Sequence, residues 1–329
     1  MKKRLIRKLD RIKDGKYSPK DFIIADAKDG DMAMGAAAPG PDCKRPGQFL
    51  TKAAYLDKMR AIVASGLVDI MLMSASSAEV LMKDDVLEKS DVTPAVRFND
   101  TTDIWFARGN RYCDKPSRPF SGLNLEACPK GVKLGLYSIT YSNDLDADYA
   151  SLEAYKAFRH HATKRDVCHF LEVFNPNPAL DVGLSAEELP AFINDSILRT
   201  LAPVTSKEAP LFLKIAYNGP AAMEELASYD PNNIVVGILG GSKGTTRDTF
   251  ELLFKAEKYG ARVALFGRKI NLSEHPIALV QLMRAVVEKS VTPEEAVRAY
   301  HGELEKSGYT PALPLDQDII ISDPILQKD

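Results

Sequence analysis

The chain has 329 residues, with 43 Lys+Arg against 45 Asp+Glu and a formal net charge of −2. That balance argues against a nucleic-acid protein, whose phosphate-facing surface needs a basic excess. The hydrophobic content of 45% is that of an ordinary globular protein. No apolar run reaches the roughly 20 residues that span a bilayer. The basic opening stretch is interrupted by Asp10 and Asp14 and lacks the apolar segment of an export signal. Cys43, Cys113, Cys128 and Cys168 form no CxxC pair and are too scattered for a disulfide scaffold, so free thiols and a cytoplasmic location are expected.

Within an N-terminal extension over 1–20, Leu5, Ile6, Leu9 and Ile12 recur at helical spacing and predict an amphipathic helix packed on the body. Eight apolar runs then read as buried strands, at 22–26, 69–73, 95–99, 133–138, 168–174, 211–215, 234–238 and 262–266. Helical patterns at 52–64, 76–88, 151–164, 185–201, 221–227, 246–258 and 276–288 fill most of the gaps. A last helix at 293–306 leads into an extended, Pro-rich tail over 308–329. Alternation of strand and helix predicts an α/β protein, and eight units predict one (β/α)8 TIM barrel. No G-x-G-x-x-G follows the first strand, which weakens a doubly wound sheet. The gap at 101–131 holds helix-breaking Gly and Pro together with Trp105, Arg108, Arg111 and Arg118. A structured loop on the carboxyl side of the barrel would be placed for substrate contacts.

In such a barrel, alternate residues point inward, and inward charges near the carboxyl ends of strands read as catalytic. Lys214 shares parity with Phe212 on the sixth strand; Leu211, Leu213 and Ile215 take the other face. A lysine set among apolar neighbours loses hydration, and its neutral amine can attack a carbonyl to form a Schiff base. Asp26 ends the first strand and Glu172 lies on the fifth, so one carboxylate could shuttle protons and the other bind or deprotonate a hydroxyl. Tyr137 on the fourth strand, with Tyr141 beyond it, offers a phenol as proton donor.

The last two strands run into anion-type loops. The seventh leads into Gly240, Gly241, Ser242 and Lys243 before a helix, and the eighth into Gly267 and Arg268. Glycines let backbone N–H groups approach an anion, and these two loops form the usual phosphate site of the barrel.

Lys214 with the Gly240-Gly241 and Gly267-Arg268 loops resembles the class I aldolases of the deoxyribose-phosphate and tagatose-bisphosphate aldolase type. The set Asp26, Glu172 and Lys214 is most similar to tagatose-bisphosphate aldolase and its sulfofructose-phosphate aldolase relatives. The resemblance covers about 22–288 and implies Lys214 as Schiff-base lysine and Glu172 as its proton-transfer partner. It further implies Asp26 as the hydroxyl-binding group and a phosphate or sulfonate in the last two loops. The lysine that those families often carry on strand four is missing, and the turn after Asp26 departs from theirs; Lys28 is a candidate replacement cation. The implied partner is a small sugar phosphate or sulfosugar, with no cofactor; five scattered histidines predict no metal, and exposed helix faces in such barrels predict a homo-oligomer. A catalytically lapsed sugar-phosphate-binding barrel and a thiolase-like acyl transferase on the same scaffold are the alternatives.

Other signals are weaker. Asp144, Asp146 and Asp148 lack the Gly and Glu that a calcium loop needs at its sixth and twelfth positions. His160 and His161 are adjacent rather than one helical turn apart. Cys168 and His169 alternate along a strand and cannot share a face.

Overall fold

The computed structural model describes residues 3–240 and 244–328. Its centre is a closed barrel of parallel strands: β1 (Ile23–Lys28), β2 (Ile70–Met73), β3 (Thr93–Arg97), β4 (Leu134–Thr140), β5 (Cys168–Phe174), β6 (Leu213–Ile215), β7 (Gly237–Leu239) and β8 (Val263–Phe266). They close in chain order, β1 pairing with both β2 and β8. Around them run α1 (Arg4–Lys13), α2 (Lys52–Ser65), α3 (Ala75–Lys83), α4 (Leu145–Lys164), α5 (Leu189–Leu201), α6 (Pro220–Tyr229), α7 (Thr246–Lys258), α8 (Pro276–Val287) and α9 (Pro293–Lys306). This is the (β/α)8 architecture expected from the alternation of apolar runs and helical patterns.

Two apolar clusters divide the strand residues by face. Ile23, Ala25, Ile70, Leu72, Ala95, Leu134, Leu136, Phe170, Phe212 and Leu265 fill the barrel, whereas Ile24, Met71, Met73, Val96, Leu171, Leu213 and Phe266 pack under the helices. Both faces are dry, so the strands read as continuous apolar runs rather than alternating ones. Close strand contacts demand glycine: a Cβ on Gly135 would stand 2.2 Å from the Phe98 ring, and one on Gly237 2.6 Å from the Leu213 carbonyl oxygen.

Helix α1 closes the amino end of the barrel. Its Leu5, Leu9 and Ile12 join the interior cluster. Asp69, just before β2, binds Arg4 Nε at 2.6 Å, Lys8 Nζ at 3.1 Å and Arg284 Nη2 at 2.7 Å, and accepts from the Ile24 amide at 2.9 Å. Burial alone raises a carboxyl, but these three cations hold Asp69 below the ordinary aspartate value.

No helix separates β3 from β4. Residues 100–101 pair antiparallel with 119–120, and short 3₁₀ turns carry the chain across the carboxyl mouth. Trp105 packs edge-on against Tyr112 and Phe120. The Phe106 amide donates to the Ala33 carbonyl at 2.8 Å, and Asp103 accepts from Ser117 Oγ and from Thr140 Oγ1 on β4. Segment 101–131 is therefore a cover fastened to β4 and to the β1 loop. The tail is not wholly extended: it forms a helical turn at Leu315–Asp318 and a 3₁₀ turn at Pro324–Gln327. Among the described residues no helix is long and apolar enough to cross a membrane, and Cys43, Cys113, Cys128 and Cys168 are free thiols.

Candidate active site

Inward parity along β3 to β6 brings a chain of polar groups to the carboxyl mouth. Phe170 and Phe212 are interior, so Glu172 and Lys214, two residues further along each strand, are interior as well. The two are register partners across the β5–β6 pair, and their side chains form an ion pair, Lys214 being 7% and Glu172 1% exposed. On β4, Ser138 follows Leu134 and Leu136 on the same face and donates Oγ to Glu172 Oε2 at 2.7 Å. On β3, Arg97 follows Ala95; its Nη2 lies 3.0 Å from Glu172 Oε2 and 3.2 Å from Ser138 Oγ. The Arg97 Nε then donates to Asp100 Oδ1 at 3.0 Å and lies 3.3 Å from Asp29 Oδ2.

Three carboxylates thus converge on one guanidinium. Burial opposes the charge on Arg97, but Asp29, Glu172, Asp100 and Asp103 outweigh it and hold Arg97 firmly protonated. Burial pushes Asp100 up to about 6; Arg97 pulls it down, while Asp29 and Glu172 push it further up. The Asn99 side chain continues the ladder where β3 leaves β4, accepting from the Ser138 amide at 2.6 Å and donating to its carbonyl at 2.9 Å. That clamp fixes Ser138, and through it the Glu172 carboxylate.

These groups face a cavity of about 730 Å³ at the mouth, lined among others by Asp29, Arg97, Glu172, Lys214, Arg268 and Lys269. The size suits a small-molecule site.

Three sequence-predicted residues lie elsewhere. Asp26 and Lys28 alternate with the interior Ile23, Ala25 and Ala27 and point under the helices; they form a fully buried pair at 2.7 Å behind the cavity wall. Burial raises Asp26 and lowers Lys28, and each charge partly restores the other. The inward carboxylate of this strand end is Asp29, three residues beyond Asp26. Tyr137 also points outward: its ring stacks on Phe158 with centroids 4.4 Å apart and lies 5.1 Å from Tyr155. The phenol that does line the cavity is Tyr55, from α2, whose ionisation is pushed up by burial and by Asp29 and Asp31.

The anion loops divide. Gly241, Ser242 and Lys243 lie outside the described residues. Gly240 and Gly267 line the cavity, and close packing requires both glycines: a Cβ would stand 2.6 Å from the Phe266 ring at Gly240 and 2.8 Å from the Ala27 carbonyl oxygen at Gly267. The start of α7, expected to present its amides to an anion, is occupied by the protein's own carboxylates. Thr246 N donates to Asp318 Oδ1 at 2.6 Å and Thr245 N to Asp248 Oδ2 at 3.0 Å. The cations left at this end are Arg268, which is exposed and makes no ion pair among the described residues, and Lys269, whose Nζ donates to the Gly244 carbonyl at 3.0 Å. Burial lowers Lys269. Among the described residues no cluster of His, Cys, Asp and Glu could hold a metal ion.

Sequence reasoning missed Arg97, Asp29, Asp100 and Ser138. The signal for Arg97 was present: a charge inside an otherwise apolar strand, at the parity of Ala95.

No protein-family profile matches the chain. The 3-hydroxy-5-phosphonooxypentane-2,4-dione thiolase of Shigella flexneri serotype 5b is 34% identical over 70 residues, 21% of this chain and 27% of that protein. Its counterpart in Yersinia enterocolitica is 34% identical over 84 residues, 26% of this chain and 28% of the other. The match thus spans little more than a quarter of either relative's length. Among solved structures, a fructose-bisphosphate aldolase from Slackia heliotrinireducens superposes with a TM-score of 0.64 at 13% identity, over 91% of this chain and 90% of the other. An archaeal fructose 1,6-bisphosphate aldolase does so with a TM-score of 0.61 at 15% identity, over 87% and 99%. At these identities the likeness is one of fold, the same eight-stranded barrel.

Proposed function

We propose that the chain is a metal-independent aldehyde-lyase of the Schiff-base type, acting on a phosphorylated or otherwise anionic ketose. The observation that carries this is the Lys214–Glu172 pair inside the mouth of a closed barrel, facing an open cavity. Proton transfer from the ammonium to Glu172 would give the neutral amine that adds to a carbonyl. The same carboxyl, now protonated, would return its proton to the carbinolamine oxygen so that water leaves and the iminium forms. Ser138 and Arg97 hold Glu172 at its far oxygen, leaving the near one to Lys214.

In this reading Asp29 takes the role expected of Asp26: it would accept the hydroxyl proton as the carbon–carbon bond breaks. Arg97 would supply the charge of the absent strand-four lysine, its Nη2 lying 3.2 Å from Ser138 Oγ. Arg268 and Lys269 supply charge for the substrate's anion at the far side of the mouth. Support from relatives is of the same kind, since the barrels that superpose include a fructose-1,6-bisphosphate aldolase described as Schiff-base forming. Borohydride reduction in the presence of dihydroxyacetone phosphate should leave a covalent adduct on Lys214, located by peptide mass spectrometry and absent in Lys214→Met. Failure to label with any ketose phosphate removes the proposal.

The short thiolase matches favour a second reading, acyl transfer from the same lysine. Turnover that requires coenzyme A, with no aldehyde released, would select it.

A further inference from the structure

Half of the cavity takes no part in the chemistry above. Its polar floor runs from β3 to β6, and the cations Arg268 and Lys269 stand at the end of β8. In a ring of eight strands β8 lies opposite β4, so the rim above β3 to β5 faces Arg268 and Lys269 across Lys214. That rim is apolar. After β5, Leu180, Val182 and Leu184 line the cavity, while Asp181 and Gly183 between them are exposed, so this bent loop turns its apolar side chains inward. Ile104 and Phe106 from the cover line the same cavity. Phe106 is 48% exposed and adds apolar area to the same side of the cavity.

Against Ile104, Phe106, Leu180, Val182 and Leu184 a polyol would give up water for few hydrogen-bond partners, whereas an alkyl or aryl group would gain by leaving water. We infer that the wall binds an apolar substituent of the substrate, and that the compound cleaved is an anionic β-hydroxy ketone releasing an alkyl or aryl aldehyde. This rests on the aldolase reading. In the cleavage the hydroxyl proton passes to Asp29 and the bond between the hydroxyl-bearing carbon and the carbon next to the iminium breaks. Its electron pair moves into the iminium, leaving an enamine on Lys214 and a free aldehyde. The enamine carbon recovers a proton from Asp29, and water then hydrolyses the iminium to ketone and lysine.

Two measurements separate this inference from the reading beneath it. In the synthetic direction, with dihydroxyacetone phosphate as donor, hexanal and benzaldehyde should exceed glyceraldehyde 3-phosphate as acceptors by at least tenfold in kcat/KM. Phe106→Asp should erase that preference; a better reaction with glyceraldehyde 3-phosphate in the native enzyme overturns the inference. The second measurement needs no catalysis. Trp105, the single tryptophan of the chain, sits between Ile104 and Phe106. Its fluorescence should respond saturably to 1-hexanol and not to glycerol 3-phosphate, and Val182→Asp should abolish the response. No response to hexanol overturns the apolar site. A saturable response without borohydride trapping removes the aldolase reading and leaves the apolar site standing.

Discussion

Arg97 and Glu172 meet across an intervening strand, Nη2 to Oε2 at 3.0 Å, with Ser138 on β4 donating to the same oxygen. The geometry assigns Glu172 two duties at two oxygens, one fixed and one facing Lys214. It also makes Arg97 the only guanidinium within reach of Asp29, Asp100 and Glu172 among the described residues.

Removing that guanidinium should do two kinds of damage. Arg97→Met leaves Asp29 and Asp100 without their cation and Glu172 with Lys214 alone, and a loss of about 3–5 kcal/mol is expected in urea unfolding. Labelling of Lys214 by borohydride and dihydroxyacetone phosphate should slow at least tenfold. Arg97→Lys restores the charge without the planar fork and should recover stability more than labelling. Native labelling rates in Arg97→Met would show that Glu172 needs no such support.

Asp29 and Asp26 can be told apart by where a substitution acts. Asp29→Asn should lower cleavage by about 10²- to 10⁴-fold, the range of a lost general base, while Lys214 still traps the ketone product. The double variant Asp26→Leu with Lys28→Met replaces a buried ion pair by apolar side chains and should change stability little or raise it. Its cleavage rate should match the native one. Loss of cleavage in the double variant with retention in Asp29→Asn would reverse the assignment.

Asp100 predicts a pH dependence of defined sign. Its folded value of about 6 stands above the ordinary 3.8, so the folded chain binds more protons than the unfolded one between those pH values. The carboxyl's contribution to stability is therefore full below pH 3.8 and is lost as pH rises through about 6. That displacement corresponds to about 3 kcal/mol. The difference in unfolding free energy between native protein and Asp100→Asn should shrink by about that amount from pH 4 to pH 7. A difference independent of pH would show that Asp100 titrates normally.

Asp69 behaves in the opposite sense. Its folded value is lowered, so its contribution is present above the ordinary aspartate range and is lost as pH falls through the folded value. Asp69→Asn should cost about 3–5 kcal/mol, because Arg4, Lys8 and Arg284 are left facing one another without an anion. Guanidinium or urea titration at pH 7 measures this, and a loss below 1 kcal/mol would contradict it.

The barrel was legible because each strand is a short apolar run and each helix an amphipathic one. Lys214 stood out as a charge in an apolar strand at the parity of Phe212, and Glu172 as an acid within another, but which face is interior came only from the closed barrel. Asp26 could not be placed: when both faces of a strand are dry, apolar pattern does not say which face is the interior, and β1 runs two residues further than its apolar run. Asp26 and Lys28 therefore share the face under the helices, and Asp29, just beyond the strand, is the carboxylate that faces the cavity. Tyr137 failed for the same reason, its neighbours on both faces being apolar. The cover was visible as a helix-free stretch, but its anchor from Phe106 to Ala33 joins residues 73 positions apart, and no local pattern encodes that. The sealing of the α7 start by Asp318 is likewise a contact between distant parts of the chain.

The Asp69 cluster also bears on the order of assembly during synthesis. Its cations come from Arg4 and Lys8 on one side and from Arg284 on the other, 215 positions downstream of the carboxylate. The seam that shuts the ring, β1 against β8, spans a similar interval. A nascent chain emerging from the ribosome therefore holds β1 with an open edge and Asp69 with two of its three cations until the helix bearing Arg284 is translated. Contacts of such separation make ring closure a late and slow event. Until then the exposed β1 edge is the place where a chaperone, or another nascent chain, would find an unpaired strand.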